Sequence, residues 1–194
     1  MSALADKLRA ALKAPPSGSP IEGDHSTVRV QPLKEAAVLI AITDRDEPGV
    51  LLTLRREHLR AHAGQIAFPG GHIEPGETGP AAALREANEE ILLDPAEVDV
   101  IGSIENYRTV TNYIVTPVLG VIPPELPLLP HEHEVAELFE APLGFLLDAA
   151  NQRLETALLQ GRERRYYEII WEGRRIWGAT AGMIVNLSRR LKWR

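Results

Sequence analysis

The chain has 194 residues, a formal net charge of −6 at pH 7 and no cysteine. The missing cysteine excludes disulfides, thiolate zinc sites and cysteine nucleophiles, and the acidic balance argues against a protein that coats nucleic acid. No apolar run approaches the roughly 18 residues that a membrane crossing needs, and the first residues lack the apolar core of a secretion signal. These features predict a globular, cytoplasmic protein with neither a nucleic-acid nor a membrane partner.

Residues 2–13 are predicted to form an amphipathic helix, because leucines recur every four residues along one helical stripe. We expect this helix to pack on the main domain or on a partner. The segment 15–20 is rich in proline, serine and glycine, which is typical of a linker. The sequence thus predicts an N-terminal helix and linker over 1–20 and a single larger domain over 21–194.

The rest of the chain alternates between strand-like and helix-like segments. Helices are expected over 79–92 and 179–192, and residues 143–160 are predicted to be partly helical. Apolar runs predict strands at 35–43, 50–55, 97–107, 110–122, 164–171 and 174–177. Because the two kinds of element are interleaved, we predict an α/β or α+β fold that is built in layers.

The helix over 79–92 carries the strongest chemical signal. Its apolar face is formed by Leu84, Ala87 and Ile91. Roughly the opposite face carries Glu86, Glu89 and Glu90. Carboxylates at these spacings repel one another, and they form a set of hard oxygen ligands of the kind that Mg²⁺ or Mn²⁺ accepts. Taken alone, the same pattern also fits a solvated acidic face.

The loop before the helix favours the metal site. Counted from Gly71, the chain has five residues, Glu77, seven residues, the pair Arg85-Glu86, two residues and the pair Glu89-Glu90. We expect Arg85 to pair with Glu77 and to hold the loop against the helix. This spacing resembles the signature of the Nudix hydrolases. One position departs from it: the signature has glycine where this chain has Leu92, and we expect the helix to run slightly further and to end before Pro95.

The resemblance implies a Nudix-type α/β/α sandwich with a mixed central sheet and an enzyme that hydrolyses a diphosphate with Mg²⁺ or Mn²⁺. We assign Glu86 and Glu90 as primary metal ligands, with Glu89 either sharing a second ion or holding its waters, and the resemblance adds the carbonyl of Gly71. The catalytic set is then Glu77, Arg85, Glu86 and Glu89. Glu77 is expected to orient Arg85 rather than to bind metal directly.

The segment 51–71 delivers cations to this loop, and cations beside a carboxylate–metal site suit a substrate with several phosphates. The candidate substrate-binding residues are Arg55, Arg60, His62 and Gln65. Some of the cations, Arg56 among them, could instead only balance the acidic helix. The segment resembles the second signature of one Nudix branch, the coenzyme A pyrophosphatases. The matching residues are Leu51, Leu52, Thr53, Arg55, Leu59, Arg60, His62, Gly64, Gln65, Ile66, Phe68, Pro69, Gly70 and Gly71.

This second resemblance implies that the small-molecule substrate is coenzyme A or one of its derivatives. The products would be 3′,5′-adenosine bisphosphate and 4′-phosphopantetheine. Two alternatives remain open from the sequence. One is a Nudix pyrophosphatase for another nucleoside diphosphate derivative, such as ADP-ribose or NADH. The other is a catalytically silent Nudix-like domain that binds a nucleotide.

The sequence leaves the general base and the oligomeric state open. Glu86 and Glu89 are candidates for the base, and so is Glu134 in the acidic loop 131–137, which alternates histidine with glutamate. Aromatic residues on the C-terminal strands are expected to build core or interface. Together with the N-terminal helix, they make a homodimer plausible.

Overall fold

A computed structural model describes residues 2–23, 33–57, 64–159 and 162–192. Its centre is a mixed sheet in which β1 (Lys34–Thr43) runs parallel to β7 (Tyr113–Ile122) along ten paired residues. The main path of the sheet runs β3-β2-β1-β7-β5, and the other pairings join β4 to β1, β6 to β7 and β8 to β2. The bounds of these strands are β2 Gly49–Arg55, β3 Ile66–Ala67, β4 Gly70–His72, β5 Asp99–Ser103, β6 Tyr107–Arg108 and β8 Val135–Pro142.

Helices cover both faces of this sheet. The bounds are α1 Ala3–Lys13, α2 Gly79–Ile91, α3 Leu143–Leu147 and α4 Ala179–Leu191. Because side chains alternate along a strand, β1 supplies Ala37, Leu39 and Ala41 to the core beneath α2. Its other face supplies Ala36, Ile40 and Ile42 to the larger core that α1, α3 and α4 cover. The predicted α/β/α sandwich with a mixed sheet is confirmed.

A second sheet of three antiparallel strands follows, with β9 (Arg153–Leu159), β10 (Arg162–Trp171) and β11 (Arg174–Trp177). It joins the larger core through the fully buried pair Ile169 and Ile176. The ring of Trp171 stacks on Phe139 of β8 with 5.8 Å between the ring centroids. This aromatic contact packs the second sheet against the edge of the first.

The predicted N-terminal helix is confirmed, and it packs on the body of the protein. Ala5 and Leu8 are fully buried in the larger core. The chain after it is tied to α4, because Asn186 accepts from the Ile21 amide at 2.7 Å and donates to the Ile21 carbonyl at 2.9 Å. The boundary at residue 20 stays a prediction. Among the described residues, every helix is too short or too polar to cross a membrane.

Three predicted elements differ in the structure. The strand expected over 97–107 is interrupted, because Asp94 caps a short 3₁₀ turn over Pro95–Glu97 and the chain leaves β7 between β5 and β6. The stretch 143–160 holds α3, a second 3₁₀ turn and then β9, since hairpin pairing with β10 overrides the helix propensity of its last residues. The loop expected over 131–137 ends earlier, because β8 starts at Val135.

Candidate active site

Helix α2 is fixed to the sheet by its small apolar face. Thr78 caps the helix by accepting a hydrogen bond from the Ala81 amide at 3.3 Å, and Pro80 is tolerated in the first turn. The buried face is formed by Ala82, Ala83, Ala87 and Ile91. The opposite side of the helix is thereby turned toward the loop that precedes it.

Glu90 is the most buried of the three helix glutamates, with 4% of the residue exposed. One carboxylate oxygen accepts from Arg55 Nη1 at 3.1 Å, and the other accepts from the Gly70 amide at 3.2 Å. Burial raises the pKa of Glu90 to about 7, and the charges of Glu86 and Glu134 add to the rise, while the Gly70 amide and Arg55 oppose it. The site thus holds an electrostatically costly carboxylate that a cation would stabilise.

Glu86 lies against the glycine loop. A β-carbon at position 71 would fall 2.4 Å from the Glu86 carboxylate carbon, so a larger residue there would have to displace that carboxylate. Burial also raises the pKa of Glu86, and Arg85 partly offsets the effect. The backbone at Gly71 and the Glu86 carboxylate are therefore in close contact.

Arg85 ties the loop to the helix. Its Nε and Nη2 donate to the two Glu77 oxygens at 3.0 and 3.2 Å, which confirms the predicted pair. Its Nη1 donates to Glu86 at 3.0 Å and to Glu89 at 3.2 Å. Nη2 also donates to the carbonyl of His72 at 2.9 Å. The hydrogen bonds from Arg85 lower the pKa of Glu77, and the three carboxylates raise the pKa of Arg85.

The acidic loop before β8 is fixed beside this cluster. The His131 amide donates to the Glu90 carbonyl at 2.7 Å, and the Leu129 amide donates to the Ile91 carbonyl at 3.1 Å. The Glu134 carboxylate lies 4.0 Å from Arg55 Nη2. These bonds satisfy the carbonyls of Glu90 and Ile91 at the end of α2, and the loop brings a fifth carboxylate, that of Glu134, to the site.

The donor set fits a hard divalent cation, although the carboxylates are held by arginines. Within the described ranges, no three acidic or histidine side chains already converge as a group of metal ligands. Instead, Arg85 binds Glu86 and Glu89, and Arg55 binds Glu90. A cation would gain Glu86 and Glu89 by replacing bonds to Arg85. The raised pKa values of Glu86 and Glu90 fit the replacement of arginine by a cation, because both carboxylates are poorly compensated in its absence. The close contact of Gly71 with Glu86 fits it as well.

Of the four predicted substrate-binding residues, the structure describes Arg55 and Gln65. Arg55 contacts the acidic cluster directly, as the charge-balancing interpretation expects. Gln65 directly precedes β3, and its backbone carbonyl accepts from the Arg55 amide at 3.0 Å. Arg60 and His62 lie outside the described residues. Phe68 is 2% exposed and packs in the core.

Two contributors escaped the sequence analysis as site residues, the Gly70 amide and the His72 carbonyl. Both are backbone groups, and the identity of a side chain does not predict the contacts of a backbone group. The adjacent glycines at 70 and 71 were the available signal, because paired glycines permit close backbone approach.

The end of α2 corrects a prediction. The helix stops at Ile91, and Leu92 adopts the left-handed conformation at φ 53° and ψ 30° that glycine prefers. Leu92 is 55% exposed, whereas Leu93 is 1% exposed and packs beneath the helix. The left-handed residue lets the chain reverse and bury Leu93, so the helix does not continue toward Pro95.

Comparison with known proteins agrees with this geometry. The family model of the NUDIX domain matches residues 33–163. A protein of Escherichia fergusonii named uncharacterized Nudix hydrolase NudL is 45% identical over 159 residues, which cover 81% of this chain and 83% of that protein. Its namesake in Escherichia coli strain K12 is 44% identical over the same length and coverage.

Solved structures show the same fold at low sequence identity. The Nudix hydrolase RenU of M. smegmatis superposes with a TM-score of 0.52 at 22% identity, over 66% of this chain and 81% of that one. A MutT/nudix family protein of Enterococcus faecalis gives 0.54 at 16% identity, over 84% of this chain and 63% of that one. With the family match and the curated relatives, the chain belongs to the Nudix hydrolase family, whose enzymes hydrolyse pyrophosphate bonds in nucleoside diphosphate derivatives.

Proposed function

We propose that this protein hydrolyses the diphosphate bond of coenzyme A or a derivative of it, releasing 3′,5′-adenosine bisphosphate and 4′-phosphopantetheine or its acylated form. The observation that carries the proposal is the ion pair between Arg55 and Glu90 at 3.1 Å. Arg55 belongs to the segment that resembles the coenzyme A pyrophosphatase signature, and Glu90 belongs to the Nudix helix. The segment that resembles the substrate signature therefore contacts the Nudix helix directly, through this ion pair.

We infer that Glu86, Glu89, Glu90 and the carbonyl of Gly71 hold Mg²⁺ or Mn²⁺. When bound, such an ion neutralises diphosphate charge and lowers the pKa of a water nucleophile. Before an ion binds, Arg85 holds Glu86 and Glu89 beside the glycine loop, and Glu77 fixes Arg85 through two hydrogen bonds. Removal of Glu77 would therefore act through Arg85.

We propose that Arg55, Arg60, His62 and Gln65 bind the diphosphate and its neighbours. A cation at Arg55 can serve the substrate once a metal ion neutralises Glu90 in its place. The general base is one of Glu86, Glu89 and Glu134. Glu134 is the first to test, because its side chain is 47% exposed and lies beside Arg55 without belonging to the metal helix.

The experiment incubates the purified protein with coenzyme A, ADP-ribose or NADH in Mg²⁺, Mn²⁺ or EDTA and identifies the products by mass. We expect metal-dependent release of 3′,5′-adenosine bisphosphate from coenzyme A. Preferential cleavage of ADP-ribose or NADH would contradict the substrate assignment. Absence of turnover on all three would favour a silent nucleotide-binding domain.

The Glu90→Gln variant tests the metal assignment in the same assay. It removes a charge from the buried carboxylate and keeps its shape, so we expect a loss of at least about 100-fold in kcat. Glu97→Gln is a matched control, since Glu97 is an exposed carboxylate in the 3₁₀ turn that follows α2. Wild-type turnover in the Glu90 variant would contradict the assignment.

We further propose that the protein acts in the cytoplasm as a homodimer and that residues 1–20 form a unit distinct from 21–194. Light scattering on the purified chain tests the dimer, and a mass close to the 21.4 kDa of one chain would contradict it. A variant that lacks residues 1–20 tests whether that segment is a separate unit, since residues 21–194 should then still fold.

A further inference from the structure

A histidine and a tyrosine meet beside the catalytic loop, on the face of the sheet opposite α2. The Tyr113 hydroxyl and His72 Nε2 lie 3.1 Å apart, and their ring centroids are separated by 5.1 Å. The two residues come from β4 and β7, which both pair with β1: His72 is the register partner of Ala36 and Tyr113 that of Lys34, so their side chains meet diagonally across β1.

Both residues are held by backbone bonds. His72 pairs with Ala36 in the sheet, its carbonyl accepts from Arg85 Nη2, and it follows directly on Gly71. Tyr113 starts β7 after a tight turn, in which its amide donates to the Thr109 hydroxyl at 3.1 Å and its carbonyl accepts from the Thr109 amide at 2.9 Å. The pair is therefore rigidly connected to the same arginine that orders the metal-binding glutamates.

A cation completes the group. Lys34 is the register partner of Tyr113, and its ammonium lies 5.7 Å from the centre of the Tyr113 ring. Its side chain is exposed, and no carboxylate of the described residues forms an ion pair with it. Lys34, His72 and Tyr113 thus present an ammonium, an imidazole and a phenol whose oxygen keeps further hydrogen-bonding capacity.

We propose that Lys34, His72 and Tyr113 form a subsite for a phosphate monoester on the nucleoside half of the substrate. This inference rests on the proposed function, in which that group is the 3′-phosphate of coenzyme A. Gly71 and His72 are consecutive residues of β4, and position 71 lies against the Glu86 carboxylate, so the subsite directly follows the backbone beside the helix glutamates. An ammonium with two neighbouring polar groups suits a phosphate monoester better than an uncharged ribose.

A binding experiment tests the subsite without requiring turnover. Calorimetry in Mg²⁺ buffer compares the Kd of 3′,5′-adenosine bisphosphate with that of 5′-AMP, two nucleotides that differ only in the 3′-phosphate. We expect the wild type to bind the bisphosphate about tenfold more tightly, the value of one charge-assisted contact. In Lys34→Ala the two Kd values should lie within about twofold of each other, and Tyr113→Phe should narrow the gap while keeping the ring.

Lys13→Ala is the matched control, since Lys13 is an exposed lysine at the end of α1. It should keep the wild-type preference. Equal binding of the two nucleotides by the wild type would overturn the subsite, and so would a Lys34 variant that weakens both nucleotides to the same degree. Failure of the protein to cleave coenzyme A would instead overturn the proposed function, so the two failures are distinguishable.

Kinetics add a second readout. The wild type should show a higher kcat/KM for coenzyme A than for 3′-dephospho-coenzyme A, mainly through KM. Lys34→Ala should lose that preference and keep its rate on the dephosphorylated substrate. A variant that loses rate equally on both substrates would place Lys34 outside the proposed subsite.

Discussion

At the scale of single residues, Glu90 is a buried carboxylate whose charge the fold compensates only in part. The residue is buried between α2 and the glycine loop, where solvation of its charge is lost. Arg55 and the Gly70 amide compensate only in part, because the pKa of Glu90 still rises to about 7. The folded protein therefore maintains an ionised Glu90 at a cost, and ligand binding can recover that cost.

This residue predicts a pH dependence of stability in EDTA. Its pKa is raised from 4.5 to about 7, so the folded state binds more protons than the unfolded state between these values, and the free energy of unfolding falls as pH rises through that window. Denaturant unfolding at pH 5 and pH 8 should show that Glu90→Gln lacks part of this fall, on the order of 2 kcal/mol. If the free energy of unfolding changed equally with pH in the variant and the wild type, the raised pKa of Glu90 would be contradicted. Mn²⁺ at pH 8 should stabilise the wild type more than the variant.

Leu92 predicts a stabilising substitution. A leucine in the left-handed conformation carries backbone strain of about 1 kcal/mol that glycine avoids. The Leu92 side chain is largely exposed, so little packing is lost on its removal. We expect Leu92→Gly to raise the free energy of unfolding by roughly 0.5–1 kcal/mol and to leave turnover unchanged. Urea denaturation checks this, and a destabilised variant would show that Leu92 contributes packing beyond its exposed position.

At the scale of elements, one arginine docks the second sheet onto the first. Arg174 of β11 donates to Glu137 of β8 at 2.5 Å. Its guanidinium also lies 4.7 Å from the ring centre of Phe139 and 5.3 Å from that of Trp171. The contact combines an ion pair with two cation–π interactions across the edge of β8. Docking through the planar guanidinium is a feature that lysine cannot reproduce.

We expect Arg174→Ala to lower the free energy of unfolding, because it removes the ring contacts together with a partly exposed ion pair. The matched control is Arg175→Ala, whose guanidinium lies over rings of the second sheet itself and is more exposed. It should cost less than the Arg174 change. Equal losses in urea denaturation would contradict the docking role.

At the scale of the whole molecule, sequence patterns predicted the elements that are long and periodic. The bounds of β1, β2, α2 and α4 agree with the expected segments to within one residue, because each buries a regular apolar face. Strands β3 and β4 span two and three residues and exist through pairing with β2 and β1, so no local pattern announces them. Strand β8 was missed because glutamates interrupt its apolar residues.

The contacts of the candidate site likewise fall into those that the sequence predicted and those that it did not. The pairing of Glu77 with Arg85 follows from residue type and spacing, and the sequence predicted it. The bonds from the Gly70 amide to Glu90 and from Arg85 to the His72 carbonyl depend on where the backbone passes, which side-chain identity does not encode. Arg55 illustrates the intermediate case, since its type was informative and its partner Glu90 became evident only in three dimensions.

The central claim is that Glu86, Glu89 and Glu90 gather divalent cations beside a phosphate-bearing substrate. The most direct measurement is a crystal structure of the protein soaked in Mn²⁺, with anomalous diffraction to locate the ion. We predict anomalous density between Glu86 and Glu90 near the Gly71 carbonyl, with Glu86 released from Arg85. Absence of density there at saturating Mn²⁺, with Glu86 still bonded to Arg85 and Glu90 to Arg55, would contradict the account.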